Sequence, residues 1–128
     1  MKALVLSMMV CFSTICVAQN TAKLTYEDGS VKSEYVKHND LVAVTHYHQN
    51  GAVKEKGFFK NETPDGKWVL YAEDGTKISE LHYENGLRHG EFRSWDRFTN
   101  TYLEMHYANG EVINADKYEK KVDLAAKK

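Results

Sequence analysis

The sequence is built from repeats, because aligning it with itself at an offset of 24 residues brings like residues together. The aligned columns are Tyr47, Tyr71 and Trp95; Phe59, Tyr83 and Tyr107; Asn61, Asn85 and Asn109; and Gly66 with Gly90, followed two residues later by Trp68 and Phe92. A shorter first copy places Gly29 against Gly51. A fixed period of this size is typical of proteins in which each unit buries its apolar side only against its neighbours.

Each repeat is predicted to be a β-hairpin. Six of the eight glycines directly follow Asp or Asn, and these dipeptides tolerate the positive φ angles that tight hairpin turns require. Between the turns, short runs alternate apolar and polar side chains, as in residues 79–83, where Leu81 and Tyr83 share one side. We expect strands near residues 24–26, 31–37, 41–47, 53–60, 67–71, 76–83, 91–95, 101–107 and 111–113. The predicted fold class is all-β, an antiparallel β-meander of repeated hairpins forming an extended single-layer sheet.

The N-terminal segment has the pattern of a secretory signal peptide. Lys2 precedes an apolar run over residues 3–15, and small residues follow up to Ala18, where we expect cleavage. The alternatives are a buried N-terminal helix or a membrane anchor, but the run is short for a span of roughly 20 residues. The predicted segments are a signal peptide at 1–18, a repeat domain at 19–113 and a C-terminal tail at 114–128. The mature protein is therefore expected to be extracytoplasmic, either periplasmic or secreted.

The tail differs in character from the repeats. Tyr118, Val122 and Ala125 follow helical spacing behind Asn114, a possible N-cap, and this predicts a short amphipathic helix. A frayed, lysine-rich terminus is the alternative.

Composition excludes several function classes. Cys11 and Cys16 both lie in the predicted signal peptide, so disulfide bonds, thiol catalysis and cysteine-bound metals are excluded for the mature chain. The formal net charge of −1 gives no electrostatic reason to expect nucleic acid or anionic lipid as a partner, and no membrane span is predicted in the mature chain. The sequence also lacks phosphate-loop, zinc-protease and nucleophile-elbow motifs. We therefore expect a protein that is not an enzyme and that uses no cofactor.

Two histidines are the candidates for metal binding. His46 and His48 flank Tyr47 on one predicted strand, so their imidazoles should project from one face about 6.5 to 7 Å apart. This spacing serves a metal only if a third ligand is present. Cross-strand packing of the two rings is the alternative.

Aromatic side chains are the candidates for ligand binding. Tyr47, Tyr71 and Trp95 have one parity and Trp68 and Phe92 the other, so rings are expected on both faces of the sheet. A thin sheet cannot bury both faces, and exposed rings suit protein partners, sugars or peptidoglycan. The predicted binding residues are Trp68, Tyr71, Phe92 and Trp95. The alternative is that the rings pack laterally as cross-strand pairs.

Residues 66–90, GKWVLYAEDGTKISELHYENGLRHG, resemble the MORN-variant repeat, and the resemblance extends over roughly residues 24 to 112. It implies an open β-meander that serves as a binding or spacing module, and it implies no catalytic residue. Many bacterial members are labelled antitoxin-like, and related eukaryotic repeats are associated with membranes and scaffolding. We expect an exported protein–protein interaction or scaffold module at the cell envelope. A carbohydrate- or peptidoglycan-binding module and an antitoxin or immunity-type partner remain the alternatives.

Overall fold

A computed structural model describes residues 20–119, and each regular element in this range is a β-strand. The strands are β1 (Thr21–Thr25), β2 (Val31–His38), β3 (Leu41–Tyr47), β4 (Val53–Lys60), β5 (Thr63–Tyr71), β6 (Lys77–Glu84), β7 (Leu87–Arg88), β8 (Gly90–Trp95), β9 (Thr101–Ala108) and β10 (Glu111–Glu119). The predicted signal peptide at 1–18 lies outside the described residues. Within the described range, no helix is long and apolar enough to cross a membrane.

The strands form one antiparallel sheet in the order β1-β2-β3-β4-β5-β6-β8-β9-β10, and the short β7 also pairs with β6. Because each strand except β7 lies beside the next strand along the chain, the sheet is a meander of hairpins. This confirms the predicted all-β, single-sheet fold.

The asparagine column of the repeat is explained by the turns at one end of the strands. Asn61, Asn85 and Asn109 all have positive φ, between 49° and 51°. The following residue also has positive φ, as type I′ hairpin turns require. Gly86 and Gly110 adopt this conformation without steric cost, whereas Glu62 adopts it at φ 64° despite its side chain.

The turns at the opposite end of the strands are closed by a carboxylate or amide side chain. Asp28 Oδ1 accepts a hydrogen bond from the backbone N–H of Ser30, and Asn50 Oδ1 accepts one from Ala52, both at 2.9 Å. Asp74 Oδ1 accepts the equivalent bond from Thr76, also at 2.9 Å. Asp and Asn are favoured here because their short side chains mimic a turn of backbone.

The sequence misplaces one turn. It assigns Asp65-Gly66 to a hairpin turn, but both residues lie inside β5, which begins at Thr63. The turn is made instead by Asn61 and Glu62, and Pro64 pairs with Phe59 in the register. Gly66, at φ 67°, lies where the register between β4 and β5 shifts. The glycine therefore serves a strand irregularity and not a hairpin turn.

The predicted C-terminal helix is wrong for the part of the tail that is described. Asn114 lies inside β10, which pairs with β9 through Glu119, and the sheet therefore continues past residue 113. The ring of Tyr118 stacks on Tyr102 with centroids 5.1 Å apart, and this cross-strand contact favours the strand. Val122 and Ala125 lie outside the described residues.

The sheet has two distinct faces, because side chains alternate along a strand and directly paired residues share a face. The side that carries Trp68 and Phe92, with their register partners Leu81 and Met105, is called the indole face. The side that carries Tyr47, Tyr71 and Trp95 is called the tyrosine face. This distribution confirms that both faces carry aromatic rings.

Candidate binding surface

Trp68 is a core residue of the indole face. Its side chain is only 6% exposed, and its ring meets Phe59 and Tyr83 edge to face at centroid distances of 5.1 and 6.2 Å. The indole lies directly over Gly57, where an added Cβ would be 2.1 Å from Trp68 Cδ2. The expectation that Trp68 offers a free stacking surface is therefore wrong, because the ring is packed against its neighbours on the sheet.

Phe92 is half-buried on the same face, farther along the sheet. Its ring meets that of Tyr107 edge to face at 6.3 Å, and it pairs with Met105 across the strands. Phe92 thus occupies the position of Trp68 in the next repeat, with a smaller ring and more exposure.

Trp95 lies on the tyrosine face beside an irregular turn. The ammonium of Lys77 lies 5.6 Å from the centre of its ring, at cation–π distance. A cleft of about 370 Å³ opens next to the indole, and its polar lining includes Thr76, Asp96 and Thr101. The side chain of Phe98 at the tip of this turn is 96% exposed.

Tyr71 lines a groove at the centre of the tyrosine face. This central groove, about 390 Å³ in volume, is formed by Ala43, Thr45, Lys56, Phe58, Lys67, Val69 and Tyr71, with backbone at Val44 and Gly57. Phe58 is 44% exposed in the groove. Among the predicted binding residues, the structure therefore places Tyr71 and Trp95 on one face and Trp68 and Phe92 on the other.

The central groove lies where the two strands at its floor lose regular register. Lys56 pairs with Val69 and Phe58 with Asp65, so Gly57 alone faces three residues of β5. Since Gly57 has no side chain, the indole of Trp68 occupies the space that a side chain would take there. This space is on the indole face, opposite the groove. One local irregularity thus produces both the packed core on the indole face and the groove on the tyrosine face.

Lysines dominate the electrostatics of the groove. Lys67 and Lys77 share a single carboxylate, with Nζ to Glu80 Oε1 distances of 3.0 and 2.5 Å. The hydrogen bond from Lys77, supported by Lys67, holds the pKa of Glu80 below its ordinary value. Lys56 forms no ion pair within residues 20–119. The groove is therefore apolar at its floor and positively charged at its rim.

A second charged cluster lies on the same face toward the C-terminal edge. Arg93 Nε donates to Glu104 Oε2 at 3.0 Å and also contacts Glu91. Arg93 holds the pKa of Glu104 below its ordinary value, with a smaller effect from His106. Two carboxylates here face one arginine, whereas the lining of the central groove holds lysines and no carboxylate.

The two candidate metal ligands are engaged in hydrogen bonds. His46 Nδ1 lies 2.8 Å from Ser33 Oγ, and its ring meets Tyr35 edge to face at 6.1 Å. His48 Nε2 lies 2.9 Å from the carbonyl oxygen of Tyr71. No group of three potential metal ligands is found in the described part of the chain. The geometry favours packing, the alternative interpretation of this pair.

Sequence reasoning missed Phe58, Lys56 and Val69 as parts of a binding surface. The available signal was the adjacent pair Phe58-Phe59, since neighbouring residues of a strand face opposite sides and one ring must point away from the core. The register shift that gathers these residues leaves no comparable mark in the sequence.

A comparison with protein families matches the MORN repeat variant at residues 43–61 and 64–85. The first match spans the hairpin of β3 and β4, and the second spans that of β5 and β6, so the central groove is formed by both. No curated protein matches the sequence. MORN repeats generally mediate binding to proteins or membranes. The resemblance expected from the sequence is thus confirmed over these residues, and each of the two matched segments folds as one β-hairpin.

Proposed function

We propose that this protein is an exported, non-enzymatic interaction module that binds another protein through its tyrosine face at the cell envelope. The observation that carries the proposal is the central groove, an apolar depression with a half-exposed phenylalanine at the junction of the two matched repeats. Isolated apolar side chains are common on protein surfaces, but a contiguous apolar concavity rimmed by charge is typical of an interaction site. Export is supported by Lys2, the apolar run at 3–15 and the small residues before Ala18.

Binding would follow from rigidity and complementarity. Backbone hydrogen bonds on both sides of β4 hold the groove in one shape, so a partner orders few additional side chains when it binds. Covering the exposed part of Phe58 contributes roughly 25 cal/mol for each Å² of apolar surface removed from water. Because its ring is surrounded by Ala43, Val69 and Tyr71, Phe58 is the expected anchor of the interface.

The chain offers a matched pair of variants to test this function. Phe58→Asp places a charge in the groove, whereas Phe98→Asp makes the same change on a turn residue that is 96% exposed. Each purified variant would be used for affinity capture from the envelope fraction of cells that produce the protein. We expect Phe98→Asp to retain the partner and Phe58→Asp to lose it, with unchanged circular dichroism spectra. Equal retention by both variants, or loss by Phe98→Asp alone, would contradict the proposal.

A second candidate function, glycan binding, is supported by the cleft beside Trp95. Its lining combines an indole with the hydroxyl groups of Thr76 and Thr101 and the carboxylate of Asp96, a composition that suits a sugar. The test is a peptidoglycan and glycan pull-down with Trp95→Ala against Phe92→Ala, since Phe92 lies on the other face. Loss of glycan binding in the first variant alone would support this function, and no binding by the unaltered protein would exclude it.

A further inference from the structure

We propose that the central groove accepts an acidic, extended segment of the partner protein, with an aromatic or large aliphatic side chain seated against Phe58. Carboxylates of the same segment would meet Lys56 on one side and Lys67 on the other. This inference rests on the proposed function and adds to it the chemistry of the partner.

The floor of the groove is wide enough for one extended segment. It is built across three adjacent strands, with Ala43 paired to Phe58 and Lys56 paired to Val69. Neighbouring strands are about 4.8 Å apart, so the floor is about 10 Å wide, which is the diameter of an extended segment with its side chains. The volume of about 390 Å³ leaves room for one aromatic ring and the backbone that carries it.

The positive charge of the groove favours a partner segment that carries carboxylates. Its lining contains Lys56 and Lys67 and no carboxylate. Asp65, the register partner of Phe58, lines a neighbouring cleft with His82 and His89 instead. A neutral or basic segment would cover Lys56 without offering it a counter-charge, and this desolvation is costly. A segment with carboxylates supplies the missing partner.

The shared carboxylate of Glu80 strengthens this assignment. Glu80 binds Lys67 and Lys77 through the same oxygen, so two ammonium groups divide one negative charge. A second carboxylate brought by a partner can therefore approach Lys67 without displacing Glu80 from Lys77. Removing the charge of Glu80 should therefore increase the affinity of the groove for an acidic ligand. A groove that bound its ligand through apolar contacts alone would show no such increase.

Recognition at this place must use side chains and not strand addition. β4, which carries Lys56 and Phe58, is hydrogen-bonded to β3 on one side and to β5 on the other. Because β4 is an interior strand, the segment would lie across the sheet face and could not add a strand beside β4. Affinity should then depend on sequence and ionic strength, since ion pairs at an exposed rim are screened by salt.

The test uses two capped peptides as probes, one with a central phenylalanine flanked by glutamates and one with the same phenylalanine flanked by glutamines. Binding to the purified protein would be followed by nuclear magnetic resonance of backbone amides at millimolar peptide. We expect the glutamate peptide to shift the amides of Ala43, Phe58 and Val69 at lower peptide concentration than the glutamine peptide does. Lys56→Gln should weaken this binding by about three-fold and Glu80→Gln should strengthen it by a similar factor.

Lys37→Gln is the matched control, because it removes the same charge from the indole face, where Lys37 pairs with Val42. The control should bind as the unaltered protein does. Equal shifts by both peptides, no shift by either, or weaker binding by Glu80→Gln would overturn the acidic assignment. If Phe58→Asp nevertheless loses the captured partner, the protein-binding function stands and only the partner chemistry is wrong. If Phe58→Asp keeps the partner, the proposed function itself fails.

Discussion

The contact between Trp68 and Gly57 shows how a single residue pair supplies a core to a sheet that has no second layer within residues 20–119. No helix or second sheet in this range covers the indole, so the ring is removed from solvent by packing against its own sheet. That position exists because Gly57 has no Cβ, and Phe59 and Tyr83 then enclose the ring from the sides. The buried Nε1 of Trp68 has no hydrogen-bond partner in the described region, so the packing gain must exceed the cost of that lost bond.

Gly57→Ala tests this contact directly. The added methyl group would lie 2.1 Å from the indole, so the ring or the backbone must move. We expect the free energy of unfolding to fall by about 1 to 3 kcal/mol, the usual cost of overpacking a core. Urea unfolding monitored by Trp68 and Trp95 fluorescence would measure this change.

The control is the same substitution in a Trp68→Leu background. There the clashing ring is absent, so Gly57→Ala should cost much less than in the unaltered protein. Equal costs in both backgrounds would show that the alanine acts through β4 itself and not through the indole.

Glu62 carries the clearest backbone strain in the repeat. At φ 64° it occupies the turn position that glycine fills in the next two turns, at Gly86 and Gly110. Glu62→Gly should raise the free energy of unfolding by up to about 1 kcal/mol, because the left-handed conformation costs a side chain more than it costs glycine. Glu73→Gly is the control, since Glu73 is an exposed turn residue whose φ is not positive, and it should destabilise. Thermal unfolding of both variants compares them, and stabilisation by neither would refute strain at Glu62.

At the scale of elements, the hairpins could be predicted from alternation and Asx-Gly turns, whereas the irregular strands could not. Asp65-Gly66 has the composition of a turn, yet it lies in β5 because Asn61 and Glu62 already reverse the chain. Likewise, the helical spacing behind Asn114 is real in the sequence, but pairing with β9 outweighs it. In both segments the local sequence signal competes with long-range strand pairing. Residue propensities contain no information about that pairing. The central groove depends on such a register shift, so it too was inaccessible from sequence.

The open edges of the sheet predict a gradient of local stability. Each described residue of β10 is exposed, and no strand from residues 20–119 lies beside its outer edge. Hydrogen exchange should therefore be fast in β10 and slow in β4 and β5, whose amides are paired on both sides. Mass spectrometry of exchanged peptides at several protein concentrations would show the gradient. Equal protection in β10 and β5 would mean that the edge is covered in solution.

At the scale of the whole molecule, we expect the pH dependence of stability to come from carboxylates spread over the repeats. The hydroxyl and backbone of Ser30 lower the pKa of Asp28, those of Thr76 lower that of Asp74, and the backbone of Phe98 lowers that of Asp96. The pKa values of Glu80 and Glu104 are lowered by Lys77 and Arg93. Each of these groups binds protons less readily in the folded state than in the unfolded chain. Their contribution is complete above the unfolded pKa values and is lost as pH falls through the folded ones.

We therefore expect the urea midpoint to be constant from about pH 7 to about pH 5.5 and to fall steeply below about pH 4. Asp28→Asn provides the sharp test, because Asn50 stands at the equivalent turn position and makes the same 2.9 Å bond to the backbone with an amide oxygen. The variant should keep the turn at neutral pH, since the acceptor remains, and should lose less stability in acid, since an amide cannot be protonated in this range. An equally steep acid transition in Asp28→Asn would show that Asp28 does not contribute to the pH dependence. If the paired glutamates are its main source instead, added salt should flatten the transition, because screening weakens ion pairs.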